Sequence, residues 1–358
     1  MNRERLKKFI GTSDISIAET MERIDSNAGR ILFIVDEQEK LIGSVSDGDI
    51  RRWILKTGSL THSVDHAMMK EPKFLFSKER EQAKALMKRE QITALPLLDT
   101  NKRIVDIVIL TEIEEKRDFE KADLSGVPLV IMAGGRGTRL YPYTKILPKP
   151  LIPIGDTPII ERIIDSFIEY GIRKLYMTVN YKKGMIKSYF SDMSPQYEIC
   201  YVEEDRPLGT AGSLKLIKDK FELPVFVTNC DSLIRTNYGD LYEYHRKSGN
   251  QITIVAALKN IVIPYGVMKP GENGELIGMD EKPKNSYFIN TGMYVINPDI
   301  IEKIPDKVMF HMPHLVEAVM RDGKSVGMYP ISEDSFLDMG EFSEMKRMEE
   351  KLNIAAEK

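Results

Sequence analysis

The chain has 358 residues, 29% of them charged, and a formal net charge of −3. That length suits two domains rather than one core, and the charge balance excludes the basic excess that nucleic-acid binding requires. Two cysteines, Cys200 and Cys230, exclude a disulfide framework and fit a reducing cytoplasm. No apolar run approaches the ~20 residues of a membrane span, and the first ten residues, MNRERLKKFI, lack the apolar core of a signal peptide. A cytoplasmic chain with no membrane or nucleic-acid partner is expected.

Residues 1–120 read as two copies of one unit. In the first, 16–24 has helical spacing, 30–36 and 41–45 are strands, and Asp47-Gly-Asp-Ile-Arg-Arg-Trp-Ile-Leu55 opens a helix. In the second, 80–90 is the helix, 95–99 and 104–110 are the strands, and a closing helix starts at Thr111. A repeat of this length is a βαββα unit that buries its open face against its twin. The division expected is about 1–60 and 61–120. The run Gly43-Ser-Val-Ser-Asp-Gly-Asp-Ile-Arg-Arg52 then resembles the strand-to-helix motif of tandem CBS domains. The resemblance implies that Ser46 and Asp49, a hydroxyl and a carboxylate three residues apart, bind the ribose of an adenine or guanine nucleotide. Read from the residues alone, the same pair is a helix cap. Thr111 and Glu114 take the equivalent places in the second copy, where Glu114 departs from the usual aspartate.

Residues 121–127, rich in charge, Ser and Gly, read as a linker. Over 128–358 strands and helices alternate. Apolar runs at 129–133, 174–179, 198–202, 225–228, 252–258 and 293–296 are interleaved with helical patterns at 158–170, 183–190, 211–219, 239–248, 312–321 and 341–355. Such alternation predicts an α/β fold with helices on both faces of a mixed, mostly parallel sheet, with ligands at the carboxyl ends of the strands.

At the first of those ends stands Leu129-Val-Ile-Met-Ala-Gly-Gly-Arg-Gly-Thr-Arg-Leu140, followed by Leu147-Pro-Lys-Pro-Leu-Ile-Pro153. Gly134, Gly135 and Gly137 let the backbone approach an anion, and Arg139 and Lys149 supply the charge that a triphosphate under attack requires. A Walker loop is excluded because no Lys-Ser or Lys-Thr follows the glycines; the dinucleotide fingerprint is excluded because Leu140 stands where glycine is needed.

Gly-Gly-x-Gly-Thr-Arg-Leu followed by Pro-Lys-Pro-Leu resembles the signature of the sugar-1-phosphate nucleotidyltransferases, across roughly residues 127–350. The resemblance implies a Rossmann-like nucleotidyltransferase domain that transfers a nucleoside monophosphate from an NTP to a sugar 1-phosphate, giving NDP-sugar and pyrophosphate. The attacking oxygen is already an anion, so the reaction needs positioning and charge neutralisation rather than a general base. Arg139 and Lys149 are the implied catalytic residues. Ala133, Gly134, Gly135, Gly137 and Thr138, with Glu203, Gly209, Thr210 and Asp231, would hold the nucleotide. Asp231 and Asp338, each at the end of an apolar stretch, match the family's metal-binding aspartates and would hold Mg²⁺. Cys230 stands where glycine is common. Gly266, Glu281, Lys282, Asn290 and Thr291 form the implied sugar-phosphate pocket, and Asn180 is a weaker addition. The five histidines show no metal-ligand spacing and read as surface or capping residues.

The base stays open, since guanine, thymine, uracil and cytosine differ by a few loop contacts. The nearest look is a bacterial guanylyltransferase, which makes GTP the expected donor; uridylyl, thymidylyl or cytidylyl transfer are the alternatives, and the sugar is open. An alternative of another class is a non-catalytic, nucleotide-sensing subunit, against which the intact set Arg139, Lys149, Asp231 and Asp338 argues. No hexapeptide-repeat tail precedes Lys358, so no fused acyltransferase is expected. The paired N-terminal repeat makes a homodimer or higher homo-oligomer the expected assembly.

Overall fold

Two sheets of one topology make up the N-terminal repeat in the computed structural model, which describes residues 3–27, 30–90, 92–109, 122–193 and 195–352. After α1 (Arg3–Lys7), β1 (Ile10–Thr12) runs parallel to β2 (Ile31–Val35), which is antiparallel to β3 (Leu41–Ser46). Helix α2 (Ile17–Asp25) connects β1 to β2, and α3 (Asp47–Thr57) follows β3. In the second copy β4 (Leu75–Phe76) is parallel to β5 (Ala94–Leu98), itself antiparallel to β6 (Ile104–Ile109), with α4 (Ala83–Glu90) between β4 and β5. The copies agree in register: Ile31 faces Ser46 and Ala94 faces Ile109, an offset of 63 residues. Both ladders slip at the same place, at Val35↔Leu41 and Leu98↔Ile104. The turns repeat too. Asp36 Oδ1 accepts the amides of Gln38 and Lys40, and Asp99 Oδ1 accepts those of Asn101 and Arg103. Phe33 and Val35 pack in one cluster with Leu98, Ile107 and Ile109, so each open face is covered by its twin. The closing helix expected from Thr111, with Glu114, lies outside the described residues.

The next elements are β7 (Leu129–Met132), α5 (Tyr143–Ile146), the short pair β8 (Pro153–Ile154) and β9 (Thr157–Pro158), α6 (Ile159–Ile168), β10 (Lys174–Val179), α7 (Lys183–Met193) and β11 (Glu198–Glu203). They are followed by α8 (Gly209–Gly212), β12 (Val225–Asn229), β13 (Ser232–Ile234), α9 (Tyr238–Ser248), β14 (Ile252–Val262), the hairpin β15 (Val267–Pro270) and β16 (Leu276–Asp280), and β17 (Lys284–Ile296). Last come α10 (Met312–Arg321), β18 (Val326–Ile331), β19 (Phe336–Asp338) and α11 (Phe342–Lys351). Seven strands form one sheet in the order β11-β10-β7-β12-β17-β14-β18. β7 is parallel to both β10 and β12, β10 to β11 and β14 to β18, whereas β12 and β17 are antiparallel. The sheet is therefore mixed and mostly parallel.

Alternation along the strands builds a core on each face. Leu129 and Ile131 of β7, Phe226 of β12 and Val295 of β17 point into one; Val130, Val225, Val227 and Ile296 point into the other. The helix expected at 211–219 is instead a single α turn, α8, running into a 3₁₀ stretch over Ser213–Lys220 that breaks at Ile217 (φ −129°). Strand β18 matches none of the expected apolar runs. Among the described residues no helix is long and apolar enough to cross a membrane.

The chain divides into two compact units. One comprises residues 1–119 with 258–288 and 332–334; the other comprises 120–257, 289–331 and 335–358.

Candidate active site

The order of strands places β10 on one side of β7 and β12 on the other, and a crevice opens where the connections diverge. The glycine-rich turn leaves the end of β7 there. Gly137 sits at φ +64°, and a Cβ on it would lie 2.9 Å from Thr144 Cγ2 and 3.0 Å from Lys149 Cβ, so both conformation and space demand glycine. The Thr144 hydroxyl donates to the Gly137 carbonyl at 2.8 Å and ties the turn to α5. A side chain at Gly134 would meet the Glu204 carboxylate at 3.0 Å, whereas nothing lies within 4 Å of a Cβ on Gly135.

A cavity of about 390 Å³ occupies the crevice. Its walls include Gly134, Gly135, Gly137, Thr138, Arg139, Lys149, Gly209, Thr210 and Asp231. Ala133 is buried behind the turn. An adjoining space of about 240 Å³ is walled by Asn290, Thr291, Tyr294 and Asp338, and shares Arg139, Thr210, Asn229 and Asp231 with the first.

The shared wall carries the charge. The Lys149 ammonium donates to Asp231 Oδ2, and both residues are buried. Asp338 arrives from a remote part of the sequence because β13 and β19 pair antiparallel, with Ser232 opposite Asp338. The Met339 amide donates to the Asp231 carbonyl at 2.8 Å, and the Ser232 hydroxyl donates to Asp338 Oδ1 at 3.1 Å. Burial, with the nearby Asp231 charge, raises the Asp338 carboxyl above its ordinary range; Ser232, Lys149 and Arg139 oppose the rise. A Cβ on Gly340 would lie 2.6 Å from Asp338 Oδ2 and 3.1 Å from Arg139 Nη1, which places that guanidinium beside the carboxylate. Two carboxylates that wall one space suit a divalent cation that takes its remaining ligands from phosphate and water. Among the described residues no group of three or more His, Cys, Asp or Glu could hold a metal by itself. Cys230 is buried between Asn229 and Asp231, and burial pushes its thiol up to about 12, so it stays protonated and inert.

The far wall is the turn after β11. Gly209 adopts φ +79°, and a Cβ there would strike the Phe310 carbonyl at 2.6 Å. That carbonyl accepts the amides of Ala211 and Gly212 at 3.0 Å, and the Met312 amide donates to Thr210 Oγ1 at 3.0 Å. His311 lies here as well, within 3.4 Å of the Thr210 amide, and lines the cavity while standing at the start of α10.

Two adjacent glutamates have different fates. Glu203 is exposed and binds Lys183 and Lys187, which hold its carboxyl down at about 2; it does not line the cavity. Glu204 does, is 6% exposed, and accepts the Leu208 amide at 3.1 Å. Burial raises its carboxyl, opposed by hydrogen bonds from Leu208, Ser213 and Thr178. Asn180 donates to the Glu204 carbonyl at 2.7 Å and supports that turn.

In the smaller space Asn290 donates to the Tyr294 hydroxyl at 2.7 Å and accepts the Gly292 amide at 2.9 Å. Thr291 donates to the Val255 carbonyl at 2.8 Å. Gly266, Glu281 and Lys282 belong to the other compact unit; a Cβ on Gly266 would lie 3.0 Å from Glu281 Oε2, both charged residues are exposed, and Lys282 has φ +47°.

Ser46 and Asp49 form a reciprocal cap on α3. The Ser46 hydroxyl donates to Asp49 Oδ2 at 2.6 Å, the Ser46 amide donates to the same oxygen at 2.9 Å, and Arg52 binds Oδ1. One histidine departs from expectation. His245 is neither at the surface nor a cap; it is 1% exposed, with ring nitrogens 2.8 Å from Thr253 Oγ1 and 3.1 Å from Asn297 Oδ1.

The chain matches the nucleotidyl transferase family over residues 129–353 and the CBS domain family over residues 12–56. A mannose-1-phosphate guanyltransferase of Emericella nidulans is 34% identical over 204 residues, 54% of this chain and 56% of that one. The mannose-1-phosphate guanylyltransferase catalytic subunit beta of Drosophila pseudoobscura pseudoobscura is 32% identical over 190 residues, 51% of each. The chain thus spans about half the length of the curated relatives it matches. The crystal structure of HddC from Yersinia pseudotuberculosis superposes with a TM-score of 0.51 at 24% identity, covering 63% of this chain and 99% of that one, which shows the fold.

Proposed function

The chain belongs to the nucleotidyl transferase family, and on that premise we propose that it transfers a nucleoside monophosphate from an NTP to a sugar 1-phosphate, with GTP as donor. The observation that supports the reaction most directly is the junction of the two spaces, where Lys149, Arg139, Asp231 and Asp338 converge. The triphosphate lies along the glycine turn, whose backbone N–H groups and Thr138 receive it. An oxygen of the sugar phosphate attacks the α-phosphorus in line, the α–β anhydride bond breaks, and pyrophosphate leaves with the electron pair. Lys149 and Arg139 hold the α-phosphate oxygens and the charge that builds on them. Asp231 and Asp338 hold Mg²⁺, which when bound supplies further neutralisation of the phosphates. No residue needs to remove a proton from the nucleophile.

Glu204 supports guanine. Its carboxylate offers a pair of acceptors to the N1–H and N2–H₂ donors of guanine, whereas uracil and thymine present one N–H between two carbonyl oxygens, which a carboxylate repels. The mannose-1-phosphate guanyltransferases among the relatives point the same way, and mannose 1-phosphate is the first acceptor to try. Asn290 and Thr291, which wall the smaller space, take the sugar phosphate in this reading. The N-terminal part, residues 1–120, acts as a paired CBS module that binds a purine nucleotide at Ser46 and Asp49 once the cap opens, and assembles the chain as a homodimer in the cytoplasm. The test is a matrix of triphosphates and sugar 1-phosphates assayed for pyrophosphate release. Release with GTP well above UTP, dTTP and CTP supports the reading, and equal or absent release contradicts it.

A further inference from the structure

His311 walls the larger cavity together with Glu204, Pro207 and Gly209, and the reaction as proposed gives it no task. All four residues belong to the compact unit built on the seven-stranded sheet. Backbone bonds on either side hold the ring in place. The Phe310 amide donates to the Leu208 carbonyl at 2.8 Å, the Phe310 carbonyl accepts the amides of Ala211 and Gly212 at 3.0 Å, and the Met312 amide donates to Thr210 Oγ1 at 3.0 Å. Met312 and Leu315 are buried and anchor the start of α10. A Cβ on Gly209 would lie 3.1 Å from both Cε1 and Nδ1 of His311, so the ring packs directly on that glycine.

The surroundings of the ring select its tautomer. The Thr210 amide donates to Nδ1 at 3.4 Å, and the Thr210 hydroxyl lies 3.5 Å from the same nitrogen. The hydroxyl oxygen already accepts the Met312 amide, which leaves its own proton for the ring. A nitrogen that faces two donors is an acceptor, and a neutral imidazole with an accepting Nδ1 carries its proton on Nε2. Among the described residues Nε2 makes no hydrogen bond. The cavity wall thus presents an N–H donor that the protein itself leaves unused.

Leu208 ties this donor to an acceptor. Its amide donates to the Glu204 carboxylate at 3.1 Å, and its carbonyl accepts the amide of Phe310, the residue before His311. Guanine carries the complementary set along one edge, the N2–H₂ and N1–H donors followed by the O6 acceptor. A carboxylate on the two donors leaves O6 in need of an N–H. Adenine has an amino group where guanine has O6, and two N–H donors that face each other repel.

We propose that His311 is a specificity-determining residue: its Nε2–H donates to guanine O6 while Glu204 takes N1–H and N2–H₂, so that Glu204 rejects uracil and thymine and His311 adds the rejection of adenine. The proposal rests on the reading of guanine as the base held by Glu204. It builds discrimination from a repulsive contact as well as an attractive one.

The test measures binding by calorimetry on the full chain, with Mg²⁺ and without sugar phosphate. The ligands are GTP, ITP, 7-deaza-GTP, 2-aminopurine riboside triphosphate and ATP. His311→Ala should weaken GTP, ITP and 7-deaza-GTP, which all carry O6, by about three- to tenfold, the scale of one hydrogen bond. It should leave 2-aminopurine riboside triphosphate and ATP, which lack O6, unchanged or tighter. His311→Gln, whose side-chain amide keeps an N–H donor, should recover part of the loss. Should the alanine variant not fold, His311→Phe keeps a ring against Gly209 without the donor and carries the same expectation. Equal weakening of every triphosphate would put His311 on the phosphates, and a loss that spares only 7-deaza-GTP would put it on N7. Either result overturns the proposal, as does unchanged binding throughout. The reading beneath it fails separately and in the parent chain alone: a parent that binds UTP as tightly as GTP contradicts guanine recognition by Glu204 and takes this proposal with it.

Discussion

The Lys149 ammonium donates a hydrogen bond to the carboxylate of Asp231 across 82 residues of sequence, at the wall between the two adjoining spaces of the candidate site. The pair is built from a proline-set turn, Pro148-Lys-Pro150, and the end of β12, so neither partner depends on a flexible loop for its place. The ammonium neutralises one carboxylate, and in the proposed reaction the same ammonium reaches phosphate. Lys149→Ala should therefore cut kcat by roughly 10²–10³, the scale of one preorganised charge contact at a reacting centre, while the KM for the sugar phosphate changes little. Steady-state kinetics in both substrates check this, and near-normal turnover would remove Lys149 from the catalytic role.

If Asp231 and Asp338 hold Mg²⁺ as proposed, Asp231→Asn and Asp338→Asn should each raise the Mg²⁺ concentration for half-maximal activity by at least tenfold, because each deletes one of two anionic ligands. Activity should vanish in excess chelator and return with Mg²⁺. A variant that titrates with Mg²⁺ like the parent would place the metal elsewhere.

The base preference should move with Glu204. Glu204→Gln exchanges one acceptor of the carboxylate for a donor, and a bidentate base contact is worth about 1–3 kcal/mol. The kcat/KM for GTP should fall by roughly 10–100-fold, and that for UTP should fall less. Parallel losses for both triphosphates would assign Glu204 to holding the turn through Leu208 and not to the base.

Stability near neutrality should depend on Asp25. Burial pushes its carboxyl up to about 7, with Asp334 and Asp47 adding to the rise and Ser332 and Arg30 opposing it. The folded form therefore retains a proton that the unfolded chain has lost. Stability from this group falls as pH rises from about 4 through 7, and below that window its pH dependence vanishes because both forms are protonated. Asp25→Asn should flatten the dependence. Thermal unfolding across pH 4–8 checks it, and identical profiles for parent and variant would contradict it.

Much of the architecture is legible in the sequence because it is written in periodicity. Strands β7, β10, β11 and β12 fall on the expected apolar runs, since buried parallel strands read as continuous apolar stretches. The 63-residue repeat is visible in Asp36 and Asp99 because each closes the same turn with its side chain. Strand β18 escapes because Gly327 and Pro330 interrupt it; both are tolerated in a strand at the sheet edge. The choice between Glu203 and Glu204 is not in the sequence. Two adjacent residues at a strand end point to opposite sides, and only the turn after β11 decides which side is the cavity. His311 and Asn229 escape for the same reason, since they reach the cavity through the meeting of distant segments. The pairing of Ser232 with Asp338 is likewise visible only in three dimensions, although the two aspartates themselves are marked by their apolar settings.

A single displacement at the α-phosphorus leaves a signature that ³¹P nuclear magnetic resonance of the full chain with GTP, mannose 1-phosphate and Mg²⁺ reads without ambiguity. Pyrophosphate and a GDP-sugar diphosphate signal should appear in equal amounts as GTP disappears. Formation of GDP with orthophosphate, or persistence of GTP with every sugar 1-phosphate tried, would contradict that chemistry.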